Sequence, residues 1–112
     1  MKRALIVEDS WVILHALELS LTECGIVVVA TAGTVAEGLA HIALARFDFA
    51  LVDLNLGGEM ALPVVDALLT AAIPLILTTG YTTAMLPARF AAVPLCLKPY
   101  DFDMLREMIA AL

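Results

Sequence analysis

"ALIVEDSWVIL", residues 4–14, decides how the rest of the chain is read. Four apolar residues, Ala4-Leu5-Ile6-Val7, stop at two adjacent acids, Glu8 and Asp9, and apolar residues then resume with helical spacing. The first run has the length and composition of a buried strand. Two carboxylates at its tip repel each other, and burying them is costly unless a cation or another partner compensates. Either they solvate a turn or something positive sits beside them.

Working outward, residues 10–24 read as a helix, with Ile13, Leu14, Leu17 and Leu21 on one face and Gly25 as its stop. "IVVVA" (26–30) is a second strand, and Thr34 with Glu37 forms a capping box that opens a helix to about Ala45. "FALVDL" (49–54) is a third strand that again ends in an acid, Asp53; "NLGGE" reads as a loop, and a helix is expected from about Met60 to Ala71. "LILTT" after Pro74 is a fourth strand and "VPLCL" (93–97) a fifth. Between them Tyr81–Ala92 suits only a short helix interrupted at Pro87, and a last helix opens at Asp101 or Phe102.

Strands alternating with helices imply a parallel sheet covered on both faces, and these strands are near-continuous apolar runs, as strands buried on both sides are. The right-handed crossover rule leaves few topologies. The expectation is an α/β, flavodoxin-like, doubly wound five-stranded sheet of order 2-1-3-4-5, with residues 1–112 as one domain.

The composition bounds the function. Hydrophobic residues are 62% of the chain, yet no run approaches the ~20 residues of a membrane span. The start "MKRALIVEDS" has acids where a signal peptide needs a longer apolar stretch, so a cytoplasmic protein is expected, without a membrane role. A net charge of −6 argues against nucleic-acid binding and favours divalent cations and basic partner surfaces. Cys24 and Cys96 have no metal-ligand spacing and read as two buried thiols rather than a disulfide; His15 and His41 have no ligand-spaced partner and read as surface or packing residues.

In the order 2-1-3-4-5 the carboxyl ends of the strands gather Glu8 and Asp9, Asp53, Thr78-Thr79-Gly80 and Lys98 along one edge, where ligands bind in such sheets. Clustered carboxylates invite a hard cation such as Mg2+. A carboxylate can also be a nucleophile and form an acyl phosphate, with a metal and Lys98 offsetting the charge that develops. Each motif alone is weak: an acidic pair usually solvates a turn, and a lone Lys-Pro usually makes one. Their placement at four strand ends is the signal.

The set "IVEDS", "ALVDLNL", "ILTTGY" and "LCLKPYD" resembles the receiver domain of two-component response regulators, in order and spacing along nearly the whole chain. That resemblance implies Asp53 as phosphoacceptor, Mg2+ held by Glu8, Asp9, Asp53 and the backbone carbonyl of Asn55, Thr79 as the switch hydroxyl and Lys98 as the phosphoryl contact. It implies a histidine kinase or phosphotransfer protein as donor and a cis bond between Lys98 and Pro99. It further implies a partner or homodimer surface from the fourth strand to the last helix, with Phe90, Leu95, Tyr100 and Met104 as candidate members or core. Two departures stand out. Leu95 occupies the position where the family carries Tyr or Phe, and residues 81–92 are short for a loop plus a helix. "DLNLGGE" is more loosely similar to the loops of stand-alone or kinase-attached receivers of alphaproteobacteria.

Other functions fit less well. An aspartyl-phosphate phosphatase of the haloacid dehalogenase type needs an acid where Asn55 stands, and a flavin module needs a Ser/Thr/Gly-rich loop where "EDSW" stands. The remaining alternative is a receiver-like interaction module that works without phosphorylation, kept open by Leu95. Trp11, beside the acids, is a natural fluorescence reporter of the site.

Overall fold

β1 (Arg3–Val7) ends where the two acids begin, and every apolar residue in it is buried. The computed structural model describes residues 2–44, 46–80, 86–98 and 101–112. Around β1 lie α1 (Trp11–Glu23), β2 (Val27–Ala32), α2 (Val35–Leu44), β3 (Phe49–Asp53), β4 (Asn55–Leu56), β5 (Glu59–Met60), α3 (Leu62–Thr70), β6 (Leu75–Thr79), β7 (Leu95–Leu97) and α4 (Phe102–Ala110). The main sheet is parallel, in the order β2-β1-β3-β6-β7. Counting only its five strands, this is the expected 2-1-3-4-5.

The pleat sorts the core into two layers. Leu5, Val7, Ala50, Val52, Leu75 and Leu77 meet Val35, Ile42, Val64, Val65 and Leu68 of α2 and α3. Ala4, Ile6, Phe49, Leu51 and Ile76 meet Leu17, Leu21, Leu105 and Ile109 of α1 and α4. Burial of each large side chain in such a layer stabilises the fold by about 2 kcal/mol. Helices therefore cover both faces. Gly38 sits where α2 crosses α3, and a Cβ there would lie 3.2 Å from Val64 Cγ2.

Local chemistry sets the element ends. The Ser10 hydroxyl accepts from Ile13 N–H and opens α1, and Gly25 closes the turn after it at φ 78°. Thr34 and Glu37 form half of the expected box: the Thr34 hydroxyl accepts from Glu37 N–H, but the Glu37 carboxylate accepts from that hydroxyl rather than from the Thr34 backbone N–H. The Asp101 carboxylate caps α4 by accepting from Asp103 and Met104 N–H.

Three expectations need correction. "NLGGE" is not a plain loop: Asn55 pairs with Met60 and Leu56 with Glu59 in a small hairpin turned by Gly57 and Gly58, at φ 61° and 92°. Because Met60 belongs to that hairpin, α3 begins at Leu62, with a proline in its first turn, rather than at Met60. After β6, residues 88–90 form only a 3-10 turn behind Pro87. The expected endpoint at Ala45, the Lys98–Pro99 bond, Tyr100 and residues 81–85 lie outside the described residues. No helix among the described residues is long and apolar enough to cross a membrane.

Candidate functional site

The carboxyl ends of β1, β3, β6 and β7 open into one cleft of about 450 Å³, lined by Glu8, Asp9, Asp53, Asn55, Thr79 and Lys98 together with Ser10 and three glycines. All six residues singled out from the sequence therefore meet in one place. Parallel pairing puts them there: Val7 lies beside Val52, Asp53 beside Thr78, and Thr79 beside Leu97. Glu8, Asp53, Thr79 and Lys98 are each the last residue of a strand or the next one along, and Asp9 and Asn55 stand two residues past the ends of β1 and β3.

The Lys98 ammonium lies 2.9 Å from Asp53 Oδ2 and 3.6 Å from Glu8 Oε1. This is the positive partner that the acids after β1 demand. The other Asp53 oxygen accepts from Asn55 N–H at 3.2 Å, and Glu8 Oε2 accepts from Ser10 N–H at 3.0 Å. Glu8 and Asp53 are 2% and 4% exposed, whereas Asp9 is open to solvent. Ligand atoms of these three carboxylates lie within 4.8 Å of one another.

Burial is the main reason the Glu8 carboxyl is pushed up from 4.5 to about 7; the Asp53 charge adds to it, while the Ser10 amide and Lys98 pull the other way. For Lys98, burial alone would lower the ammonium, but bonds to Asp53 and attraction to Glu8 outweigh it and hold it above its usual range. The cluster thus holds more negative charge than one lysine relieves. An all-oxygen donor set with a carboxylate surplus fits a hard divalent cation better than zinc or copper.

The hairpin β4–β5 closes one side. Asn55 Oδ1 accepts from Gly58 N–H at 2.8 Å, and a Cβ on Gly57 would come within 3.4 Å of Asp9 Oδ2. Ser10 and Gly57 were not singled out from the sequence. Ser10 carried a cap signal directly before a helical pattern, and the Gly-Gly pair carried a hairpin signal. Thr79 is 1% exposed at the end of β6.

Of the candidate partner-surface residues, Phe90 is core, 1% exposed, and Leu95 is half-buried against the same layer. Phe90, in the 3-10 turn, belongs to the core layer that includes Leu75 and Leu77 of β6. Met104 is exposed. His15 stacks on Trp11 with ring centroids 5.8 Å apart, and His41 lies half-buried on α2. Cys24 and Cys96 are free thiols, but only Cys96 is buried: Cys24, expected in the core, caps the end of α1 and is exposed.

The family model for the response regulator receiver domain matches residues 4–110. Among solved structures, SdrG from Sphingomonas melonis Fr1 is 36% identical, with a TM-score of 0.85 over 99% of this chain and 95% of that one. The BeF3-activated conformation of SdrG, from Pseudomonas melonis Fr1, is also 36% identical, with a TM-score of 0.81 over 97% and 93%. A CheY-like receiver domain protein from Methanospirillum hungatei JF-1 is 30% identical, with a TM-score of 0.85 over 99% and 92%. No curated protein sequence matches the chain.

Proposed function

The chain belongs to the response regulator receiver domain family, a family of signal transduction, and from that premise we propose that it accepts a phosphoryl group on Asp53 from a histidine kinase or phosphotransfer protein. Residues 1–112 act as one receiver unit, working in the cytoplasm. The observation that carries this reading is the cluster itself: a nearly buried Asp53 with Lys98 at 2.9 Å and two further carboxylates beside it.

In the proposed step an Asp53 carboxylate oxygen attacks the phosphorus of a phosphohistidine. A P–O bond forms, the P–N bond breaks, and the departing imidazole nitrogen takes a proton. Asn55 N–H and the Lys98 ammonium fix the carboxylate plane. As the phosphoryl group arrives, Lys98 turns from the carboxylate to a phosphoryl oxygen, which it reaches as a mobile point charge. The Thr79 hydroxyl donates to another oxygen, and Gly80 leaves room for the group. Glu8, Asp9, Asp53 and the Asn55 carbonyl would hold Mg2+, which when bound supplies positive charge against the charge developing on the phosphoryl oxygens. The output is a change in protein–protein contact rather than turnover of an external substrate. SdrG, in a BeF3-activated conformation, supports the same kind of response here.

The test is phosphorylation by acetyl phosphate or phosphoramidate, with and without Mg2+, read by intact mass. A Mg2+-dependent gain of one phosphoryl group that Asp53→Asn abolishes is the expected result. No gain from these donors or from a phosphorylated histidine kinase, in folded protein, would overturn the reading and leave an interaction module that works without phosphorylation.

A further inference from the structure

Among the described residues, three of the exposed apolar faces outside the cleft lie on or beside helices. On α1, Trp11, Val12 and Leu19 are exposed beside Glu18 and Glu23, next to the acidic cleft. At the β7–α4 edge, Leu97 and Met104 are exposed among Asp101, Asp103 and Glu107. The third face is α2, where Ala36, Leu39, Ala40, Ala43 and Leu44 all face solvent.

We propose that this α2 face pairs with the α2 face of a second copy of the chain, antiparallel and about a two-fold axis. An acidic chain of net charge −6 repels its own copies. A symmetric pairing at the β7–α4 edge would bring Asp101 and Glu107 toward their own copies, with Asp103 already paired to Arg106, so that acidic edge suits a basic partner instead. The 36-40-44 ridge of α2 itself carries no charge, with Glu37 exposed along its flank near the helix start. Ala36, Ala40 and Leu44 follow one another at i, i+4 and i+8, with Leu39 and Ala43 in the next row. Their small size lets two helix axes approach closely, ridge into groove. Leu44 and Val29 border the same hollow as Arg46 and Arg3, extending the apolar surface to β2.

The two ends of α2 bear opposite charge. At its start the Glu37 carboxylate accepts from the Thr34 hydroxyl, and Glu59 Oε1 accepts from Val35 N–H at 3.3 Å. At its end stand Arg46 and His41, with Arg3 beside them already neutralised by Asp48. An antiparallel pairing brings the acidic start of each helix to the basic end of the other and opposes the helix dipoles favourably. Pairing through the sheet edges is disfavoured. β2 carries a bulge at Val29, where its register with β1 skips from Val28 to Ala30, and β7 is three residues long.

The test is sedimentation across a concentration series. The expected mass rises with concentration from 11.9 kDa toward twice that value, and added salt weakens the association. Ala40→Glu and Leu44→Glu, both on exposed positions and checked for folding by circular dichroism, are expected to weaken it at least tenfold, while Leu97→Glu leaves it unchanged. In a Cys24→Ser background, Ala40→Cys is expected to form a disulfide-linked dimer on mild oxidation and Ala110→Cys to form none. A wild-type chain that stays monomeric to its solubility limit, a dimer lost with Leu97→Glu but not Leu44→Glu, or no Ala40→Cys cross-link overturns the proposal.

Discussion

The two halves of the cleft are built differently. Glu8, Asp9 and Asp53 follow β1 and β3, interior strands with a neighbour on each side, and all five residues of β3 are buried. Thr79 ends β6, an interior strand as buried as β3, but Lys98 follows β7, a three-residue edge strand reached through a 3-10 turn. The first half holds its carboxylates against mutual repulsion in a frame that cannot yield. The second is lightly held only at its edge, where β7 offers buried Cys96 and half-buried Leu95, Phe90 sits in the core, and the Arg89–Asp66 ion pair at 2.9 Å ties the turn to α3. A receiver needs both properties, a fixed place for the acceptor and a lightly held element to respond to it. The structure assigns them to opposite sides of Asp53.

The sharpest way to break this comparison is to remove the acceptor. Asp53→Asn is expected to abolish phosphoryl acceptance, measured by intact mass, while the fold survives, because the amide keeps the size of the carboxylate. A variant that still gained a phosphoryl group would put the acceptor elsewhere.

Next in size is the anchor of the second half. Phe90→Ala is expected to cost about 3 kcal/mol by denaturant titration, the usual loss for a buried ring. If the halves are as separate as the packing suggests, this variant keeps its Mg2+ affinity while amide exchange quickens in residues 86–98. A parallel loss of metal binding would show the two halves to be one unit.

The acceptor half has a pH signature. Glu8 titrates near 7 in the folded chain against 4.5 in the unfolded one. Between these values the folded state binds more protons, so stability falls as pH rises through this window and levels off above it. Without metal the fall from pH 4.5 to 8 is expected to be about 2 kcal/mol, allowing for water in the open cleft. The Lys98 shift acts only near and above its usual range, and those of Asp48 and Asp66 only in acid. Glu8→Gln should remove the slope. Asp53→Asn should keep most of it, since burial is the larger cause. Saturating Mg2+ should flatten it by favouring the ionised carboxylate, and chelation should restore it. Thermal melts over pH 4.5–8 measure all four.

These differences explain what could be read from the sequence. Glu8, Asp9, Asp53, Thr79 and Lys98 were legible because each follows an apolar run, and parallel strands bring their carboxyl ends to one edge whatever the loop details. The order of the main sheet followed from strand count and crossover handedness. The hairpin after Asp53 was hidden because its strands are two residues long, too short for a period to show. Phe90 was nominated for a partner surface because sequence marks it as apolar without saying which way it faces. In the structure it lies in the core layer with Leu75 and Leu77. The charge match between Lys98 and the acids was legible; that Lys98 reaches both Glu8 and Asp53 required coordinates.

The smallest effect concerns Leu95, which stands where the resemblance leads one to expect an aromatic ring. It pairs with Leu77 at the start of β7 and packs against the Phe90 layer. Leu95→Ala removes a half-buried side chain and is expected to cost about 1 kcal/mol, below the range for fully buried leucines. If Leu95 is only packing, the rate of phosphoryl gain stays unchanged, and amide shifts induced by BeF3 appear around Thr79 and Lys98 as in the parent chain. If those shifts shrink while phosphorylation persists, Leu95 carries the response as an aliphatic substitute for the ring, and the lightly held half of the cleft signals through its packing. Leu95→Tyr separates the two cases. A ring restores the expected aromatic without changing the acceptor half, so a larger BeF3 response in that variant would show that the chain works with a weakened form of the family's switch.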